Sequence, residues 1–244
     1  MLALIDSDSY AYAAAHLAEG TSEQNARQVL NDLIQGTLID LNTEEYMLFC
    51  TGDTNFRKEI YPEYKANRKD AVKPEHLAAC KQHLRTEWKA YESINCEADD
   101  LVGIEAMRDP TRETIIVSVD KDLNTIPGWH YNPKKKERYL VSPRDALRFF
   151  YYQLLVGDSA DNIKGAKGIG PKKAERILET AFEDWCAEAG TEAELPTFYF
   201  EAVQGYFSCH EELMLNARCL YIWQKENDEW HPPREVVSGM DNGS

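Results

Sequence analysis

Residues 114–122 read TIIVSVDKD, an apolar and largely β-branched run that ends in two aspartates. A short run of this kind with polar residues after it predicts a buried strand. Similar runs occupy residues 2–5, 46–50 and 91–94, and helical patterns lie between them. This alternation predicts an α/β domain with a central, mostly parallel sheet.

Two signals locate helix starts. Thr21 and Ser22 can each cap the helical pattern that follows them, and Ser142 followed by Pro143 is typical of a capped helix, which we expect to continue through Phe150. After Gly157 the sequence predicts only helices joined by polar or Gly-rich turns, without a strand. These signals divide the chain into residues 1–150, a helical region over 151–230 and a tail over 231–244.

Acidic residues follow every predicted strand. Ligands of open α/β sheets bind beyond the carboxyl ends of the strands, so we expect these acids at one edge of the sheet. A fifth acidic cluster begins the helical region. The five clusters contain nine carboxylates: Asp6, Asp53, Glu97, Asp99, Asp100, Asp120, Asp122, Asp158 and Asp161.

The number of these carboxylates indicates a metal site. An isolated acid such as Asp8 is interpreted as a residue of the first turn of a helix. Nine carboxylates in a small volume repel one another strongly unless cations neutralise them. Oxygen ligands without His or Cys favour Mg²⁺ or Mn²⁺ over zinc, and Mg²⁺ held in this way commonly acts on phosphates.

Two basic segments are candidates for contact with a phosphate chain. Residues 55–69 interleave five cations with aromatic residues, a composition that suits a single-stranded nucleic acid path, although a solvated basic loop is the alternative. Residues 162–178 surround a Gly-Ile-Gly turn with lysines at a helix start, which is either a phosphate-binding terminus or a plain helix-entry turn. The candidate contacts are Arg57, Lys58, Tyr64, Lys65, Arg68, Lys69, Lys164, Lys167, Gly168, Gly170, Lys172 and Lys173.

The net charge of −15, from 27 Lys and Arg against 42 Asp and Glu, taken alone disfavours a nucleic-acid binder. The distribution of the acidic residues along the chain, however, is compatible with nucleic-acid binding. Nine acids belong to the predicted metal site, and residues 177–217 contain nine more without any Lys or Arg, so 24 acids remain against 27 bases. Residues 134–136 and Arg138 are interpreted as a charged hairpin tip. The six cysteines lack C-x-x-C spacing and no segment resembles a membrane span, so we expect a cytoplasmic protein without membrane contact.

Several of these segments resemble, in chain order, the motifs of the flap endonuclease and 5′-to-3′ exonuclease family, which includes bacteriophage 5′ nucleases and the 5′ nuclease domain of bacterial DNA polymerase I. The segments are LID (4–6), GD (52–53), YKANR (64–68), EADD (97–100), SVDKDL (118–123), GDSADN (157–162) and GIG (168–170). The resemblance covers about residues 1–180. It implies a PIN-like nuclease core over 1–150, a helical arch in 54–90 and a helix-three-turn-helix element at about 157–180.

The resemblance also implies residue roles. One implied metal cluster comprises Asp6, Asp53, Glu97, Asp99 and Asp100, and a second comprises Asp120, Asp122, Asp158 and Asp161. Lys65 and Arg68 are implied as catalytic cations on the scissile phosphate. The turn from Gly168 to Gly170 is implied to bind duplex DNA, with K⁺ as a further cation there.

These observations predict hydrolysis of phosphodiester bonds near the 5′ ends of DNA with two Mg²⁺ ions and no protein nucleophile. We expect a monomer that acts in DNA replication on double-stranded DNA with 5′ ends, nicks or flaps, and on RNA–DNA hybrids if it removes primers. One alternative is a PIN-type ribonuclease, against which the basic element from Ile163 to Arg176 counts. The other is an inactive DNA-junction-binding protein, which predicts eroded carboxylates, whereas all nine positions are acidic.

Overall fold

The computed structural model describes residues 1–69 and 71–233, so residues 234–244 of the predicted tail (231–244) lie outside the described residues. The strands are β1 (Leu2–Asp6), β2 (Tyr46–Cys50), β3 (Tyr91–Glu92), β4 (Thr114–Val117), β5 (Gly128–Asn132), β6 (Glu137–Val141), β7 (Gly157–Asp158) and β8 (Ile163–Lys164). The α-helices are α1 (Asp8–Leu17), α2 (Glu23–Leu41), α3 (Phe56–Ile60), α4 (Leu77–Thr86), α5 (Ala98–Arg108), α6 (Pro143–Val156), α7 (Pro171–Ala187), α8 (Leu195–Gln204) and α9 (His210–Leu220). None of the helices in the described ranges is both long and apolar enough to cross a membrane.

The central sheet has six strands in the order β3-β2-β1-β4-β5-β6. Neighbouring strands are parallel except for β5 and β6, which form an antiparallel hairpin. The four predicted strands and the predicted parallel sheet are confirmed. Of the predicted charged hairpin tip, residues 134–136 lie between β5 and β6, and Arg138 lies in β6. Because β1, β2, β3 and β4 run in one direction, their carboxyl ends lie at the same edge of the sheet.

The apolar run of β1 is buried on both faces. Ala3 and Ile5 pack in a core with residues of α1, α2 and α4. Leu2 and Leu4 alternate with them and pack in a second core with residues of α5. Successive side chains of a strand point to opposite faces, so a strand covered on both sides is apolar throughout and ends where it reaches the polar edge.

The described residues form two compact units that interleave along the chain. The first comprises residues 1–56, 71–143 and 222–228, and the second comprises 57–69, 144–221 and 229–233. Each unit has its own buried hydrophobic residues. Helix α6 begins at Pro143, as predicted, and runs past Phe150 to Val156, so the domain boundary predicted at residue 150 lies inside a helix of the second unit.

The second unit contains strands that the sequence analysis did not predict. β7 and β8 pair in antiparallel register, which corrects the expectation of helices alone after Gly157. Gly157 has a φ of +74°, and a Cβ there would lie 2.3 Å from the backbone N of Gly165. The hairpin therefore requires glycine, and strands of two residues are too short to produce a hydrophobic period.

Candidate active site

A chain of hydrogen bonds joins the ends of β1 and β4. Asp6 is the last residue of β1, and Ser118, which follows β4, donates from Oγ to Oδ2 of Asp6 at 3.0 Å. The same Oγ accepts a bond from the backbone N of Asp120 at 3.0 Å. Oδ1 of Asp120 in turn accepts from the backbone N of Asp122 at 2.9 Å. One buried hydroxyl thus links the Asp6 carboxylate to the backbone of Asp120, and the Asp120 carboxylate in turn bonds the backbone of Asp122.

The surroundings of the Asp6 side chain disfavour its charged form. Its side chain is buried, and this burial, the negative charge of Asp8 and, to a smaller extent, that of Asp120 raise its pKa to about 7. The hydrogen bond from Ser118 acts in the opposite direction. A carboxylate crowded by like charge in a desolvated place is stabilised by a cation, so this edge of the sheet attracts positive charge.

Asp8 is a site residue that the sequence analysis missed. It lies in the first turn of α1, as expected, but its Oδ2 accepts a bond from the backbone N of Thr51 at 3.0 Å. Its Oδ1 lies 2.9 Å from Nζ of Lys81 on α4. Asp8 therefore connects α1 to the end of β2 and to α4, and the available signal was its position two residues beyond Asp6.

The loop that carries Asp53 is held against the loop that leads into α5. Thr51 Oγ1 accepts a bond from the backbone N of Ala98 at 3.0 Å, and the N of Gly52 donates to Ser93 Oγ at 3.1 Å. A Cβ on Gly52 would lie 2.2 Å from the backbone oxygen of Ser93, so only glycine fits there. Asp53 follows this close approach and is exposed.

The acidic segment at the start of α5 caps its own helix. Glu97 is the N-cap and forms a capping box with Asp100, whose Oδ2 accepts from the N of Glu97 at 2.9 Å. Asp100 is fully buried, and its Oδ1 accepts from the N of Trp223 at 3.1 Å. Asp99 lies half-buried in the first turn. Asp100 thus also anchors residues 222–228, and metal binding by these acids stays a prediction.

The donor chemistry of this edge fits a divalent cation. The candidate ligands offer only carboxylate oxygens, which suit Mg²⁺ or Mn²⁺, and Asp6 is crowded by negative charge. Within residues 1–69 and 71–233, no three His, Cys, Asp or Glu side chains as they stand are grouped around one metal position. To coordinate a cation together, these side chains would therefore have to move closer to one another.

In the second unit, the carboxylate of Asp161 is surrounded by three donors. Tyr64 Oη donates to Oδ2 at 2.8 Å, and Arg68 Nη2 donates to Oδ1 at 2.7 Å. Lys65 Nζ lies 3.5 Å from Oδ2. Two predicted catalytic cations and one predicted metal ligand therefore form a single ion cluster, in which the positive charges compensate the acid.

Further bonds tie residues 61–68 to residues 158–162. Tyr61 Oη donates to the carbonyl of Asn162 at 3.1 Å, and Asn67 Nδ2 donates to the carbonyl of Ser159 at 2.8 Å. Asp158 is buried, and its Oδ1 accepts from the backbone N of Ala160 at 2.7 Å. The loop that contains the two predicted ligands, Asp158 and Asp161, is thus held by hydrogen bonds within the loop and by hydrogen bonds from residues 61–68.

Two residues predicted to contact DNA have other roles. Arg57 is 2% exposed, and its guanidinium donates to the carbonyls of Cys219 and Tyr221, each at 2.8 Å. Tyr64 is 3% exposed and belongs to the core of the second unit, so its ring cannot stack on a base. Alternation of aromatic and basic residues in the sequence did not distinguish these buried positions from exposed ones.

Apart from the half-buried Lys65, the remaining predicted DNA contacts are exposed. The lysines among them lie at positions 58, 69, 164, 167, 172 and 173. Gly168 has a φ of +76° in a tight turn, and Gly170 is the N-cap of α7. Lys173 Nζ lies 5.3 Å from the ring centroid of Tyr206. Cations therefore surround the start of α7, where the positive end of the helix dipole also favours a phosphate.

Comparisons with known proteins confirm the resemblance. The family model described as the 5′-3′ exonuclease, N-terminal resolvase-like domain matches residues 1–134. Flap endonuclease Xni of Shewanella putrefaciens is 33% identical over 141 residues, which are 52% of this chain and 54% of that protein. DNA polymerase I of Bacillus caldotenax is 30% identical over 206 residues, 72% of this chain and 23% of the polymerase. The chain spans about half the length of the Xni proteins that it matches.

The fold has solved counterparts. A crystal structure of bacteriophage T5 flap endonuclease, a pseudo-enzyme–product complex with DNA and metal ions, has a TM-score of 0.65 at 18% identity and covers 90% of this chain and 88% of the other. A structure of T5 5′-exonuclease with bound zinc has a TM-score of 0.64 over the same shares. The mixed α/β fold with a mostly parallel sheet is thus shared with these nucleases. The family model also matches more than half of the length of this chain, and the chain therefore belongs to the 5′-3′ exonuclease family.

Proposed function

We propose that this chain is a structure-dependent 5′-to-3′ DNA exonuclease and flap endonuclease, which hydrolyses phosphodiester bonds near 5′ ends during replication. The observation that carries the proposal is the acidic edge of the first unit, where Asp6 is buried beside Asp8 and Asp120 with its pKa raised to about 7. A buried carboxylate beside two other acids lowers the stability of the folded protein unless a cation binds there. Binding of a catalytic metal ion would explain why the protein has this arrangement. Membership of the exonuclease family supports the same reaction class.

Two Mg²⁺ ions are the proposed cofactors, and Mn²⁺ can replace them. The proposed ligands are Asp6, Asp53, Glu97, Asp99, Asp100, Asp120 and Asp122 in the first unit, and Asp158 and Asp161 in the second. When bound, such ions lower the pKa of an attacking water and stabilise charge on the leaving oxygen. Ser118 holds the Asp6 carboxylate in place for this role.

Lys65 and Arg68 are the proposed catalytic cations. Both pair with Asp161 in the second unit, and the Arg68 side chain is about half exposed. A phosphate offers the same oxygen acceptors as a carboxylate, so both cations can bind the scissile phosphate when Asp161 is neutralised by a metal ion instead. The ion cluster therefore keeps these side chains ordered before the substrate arrives.

The proposed substrate is double-stranded DNA with a 5′ end, nick or flap, with RNA–DNA hybrid as a further substrate in primer removal. Residues 157–180 are the proposed helix-three-turn-helix element, with K⁺ at the turn between Gly168 and Gly170 and phosphates on the surrounding lysines. Residues 54–90 are the proposed arch of the nuclease core. We propose that the chain acts as a monomer.

A cleavage assay tests the proposal. Wild-type protein with Mg²⁺ is expected to cut 5′-labelled blunt duplex, nicked duplex, 5′-flap and RNA–DNA hybrid to different extents. Asp6→Asn and Asp120→Asn are expected to lose about 100-fold or more of the rate, because each removes a proposed ligand. Glu183→Gln, an exposed acid on α7, is the control and keeps full activity.

Three results would contradict the proposal. Full activity of Asp6→Asn and Asp120→Asn would remove the acidic edge from the mechanism. Cleavage of single-stranded RNA without cleavage of DNA would indicate the ribonuclease alternative. Tight DNA binding without cleavage in Mg²⁺ or Mn²⁺ would indicate the inactive junction-binding protein.

A further inference from the structure

We propose that Tyr64 is a positioning residue that places both the anion and the cation of the reaction, namely Asp161 and Lys65. The inference rests on the proposed function, in which Asp161 binds metal and Lys65 binds phosphate. It gives Tyr64 a role in place of the DNA contact that the sequence analysis predicted.

Tyr64 contacts Asp161 through its hydroxyl and Lys65 through the face of its ring. Its hydroxyl donates to Oδ2 of Asp161 at 2.8 Å. Nζ of Lys65 lies 5.0 Å from the centroid of its ring and 3.5 Å from the same Oδ2. The hydroxyl thus holds the carboxylate, and the face of the ring attracts the ammonium group.

The ring itself is immobilised. Tyr64 is 3% exposed and packs in the hydrophobic core of the second unit. Its backbone N donates to the carbonyl of Tyr61 at 2.9 Å, within the segment tied to residues 158–162. A side chain fixed at its base by packing keeps its polar end in one place, which an exposed tyrosine does not.

The backbone of Lys65 gives a second indication that this geometry is specified. Lys65 has a φ of +56°, in the left-handed region that side-chain-bearing residues seldom adopt. Its backbone N donates to the carbonyl of Asp161 at 2.9 Å. An unfavourable conformation persists where surrounding contacts determine it, and here those contacts are the carbonyl of Asp161 and the ring of Tyr64.

The expected effect of Tyr64 is on metal affinity. A carboxylate that binds a metal is oriented by the hydrogen bond its other lone pairs accept, and loss of such a partner typically weakens metal binding about 10- to 100-fold. Tyr64→Phe removes only the hydroxyl and keeps the ring in the core. Tyr61→Phe is a matched control, because the Tyr61 hydroxyl bonds the same loop at the carbonyl of Asn162 and touches no carboxylate of that loop.

The test is a calorimetric titration of each folded protein with Mn²⁺ in the absence of DNA, with melting temperatures measured alongside. We expect wild type and Tyr61→Phe to bind with equal affinity, and Tyr64→Phe to bind about 10-fold more weakly at one site. In single-turnover cleavage, raised Mg²⁺ should restore Tyr64→Phe but not Tyr64→Leu, which lacks the ring beside Lys65.

The outcomes separate this inference from the proposed function. Equal Mn²⁺ affinity of wild type and Tyr64→Phe overturns the inference and leaves the proposed function intact. An equal loss in Tyr61→Phe also overturns it, since the effect would then be a general loosening of the loop. Failure of the wild-type protein to bind Mn²⁺ overturns the proposed function and the inference together.

Discussion

Ser118 and Asp6 are joined by a hydrogen bond of 3.0 Å between Oγ and Oδ2, across the ends of two adjacent parallel strands. A serine hydroxyl has one proton to donate, and here it is given to the buried carboxylate. The oxygen of the same hydroxyl accepts the backbone N–H of Asp120, so one small side chain sets the positions of two proposed metal-binding segments.

Ser118→Ala is expected to lower cleavage about 10-fold, because it removes the partner that orients Asp6. The hydrogen bond from Ser118 normally lowers the pKa of Asp6, so the acidic limb of the kcat/KM profile should move to higher pH in the variant. The measurement is that profile at fixed Mg²⁺. Ser118→Thr keeps a hydroxyl and should resemble wild type, and an unchanged profile in Ser118→Ala would exclude this role.

Asp6 should make the metal-free protein less stable as pH rises. Its pKa is about 7 in the folded state and 3.8 as a reference value, so the folded state holds the proton more tightly. Between about pH 4 and pH 7 the folded form binds more protons than the unfolded form, and the free energy of unfolding falls as pH increases. By pH 8 the loss should amount to about 2–4 kcal/mol.

Urea unfolding at pH 5 and pH 8 in chelator checks this expectation. Asp6→Asn cannot ionise, so it should be more stable than wild type at pH 8 and should lack this part of the pH dependence. Addition of Mn²⁺ should stabilise wild type more than Asp6→Asn, because the variant lacks one ligand of one proposed site. A wild-type protein as stable at pH 8 as at pH 5 without metal would contradict the raised pKa.

The sheet and its acidic edge were predictable because both arise from local pattern. The apolar runs at β1, β2 and β4 carry their own burial signal, and the acids follow them directly in sequence. The hairpin of β7 and β8 was not predictable, since its strands contain two residues each and depend on the close approach of Gly157 and Gly165. A strand of two residues is too short to show a hydrophobic periodicity.

The roles of individual residues in the site were less predictable, because they depend on partners distant in sequence. Asp8 has the sequence signature of a helix-start residue, and its bonds to Thr51 and Lys81 arise only in the folded chain. Arg57 and Tyr64 belong to a basic, aromatic segment, yet both are buried. Composition indicates what a segment can bind, whereas burial decides which of its side chains reach the ligand.

Two glycines of the second unit should differ in their tolerance of alanine. At Gly165 a Cβ would lie 2.3 Å from both the N of Gly157 and the carbonyl oxygen of Leu155, so backbone must move, at about 2–4 kcal/mol. At Gly168 a Cβ would lie more than 4 Å from every described atom beyond its chain neighbours, and only its φ of +76° opposes alanine, at about 1 kcal/mol. Thermal unfolding of both variants measures the difference, and equal destabilisation of the two would contradict it.

Lys172 and Lys173 should contribute to DNA affinity through phosphate binding alone. Replacing both with alanine should weaken binding to nicked duplexes of any sequence and reduce the slope of log affinity against log salt by about 0.9 for each phosphate that is no longer neutralised. Fluorescence anisotropy between 50 and 200 mM KCl, a range of about fourfold in salt, measures the slope. Lys225→Ala, an exposed lysine of the first unit paired with Asp228, is the control, and an equal effect there would show that only net charge matters.

Arg57→Ala should reduce stability and leave DNA binding intact, whereas Lys58→Ala should do the reverse. The buried guanidinium of Arg57 donates to the carbonyls of Cys219 and Tyr221, and its removal takes a charged donor away from both, at about 2–4 kcal/mol. Lys58 is the neighbouring residue and is exposed, so its ammonium group is available to a phosphate. Urea unfolding and DNA anisotropy on both variants separate the roles. A stable Arg57→Ala that binds DNA weakly would restore Arg57 to the DNA-binding surface.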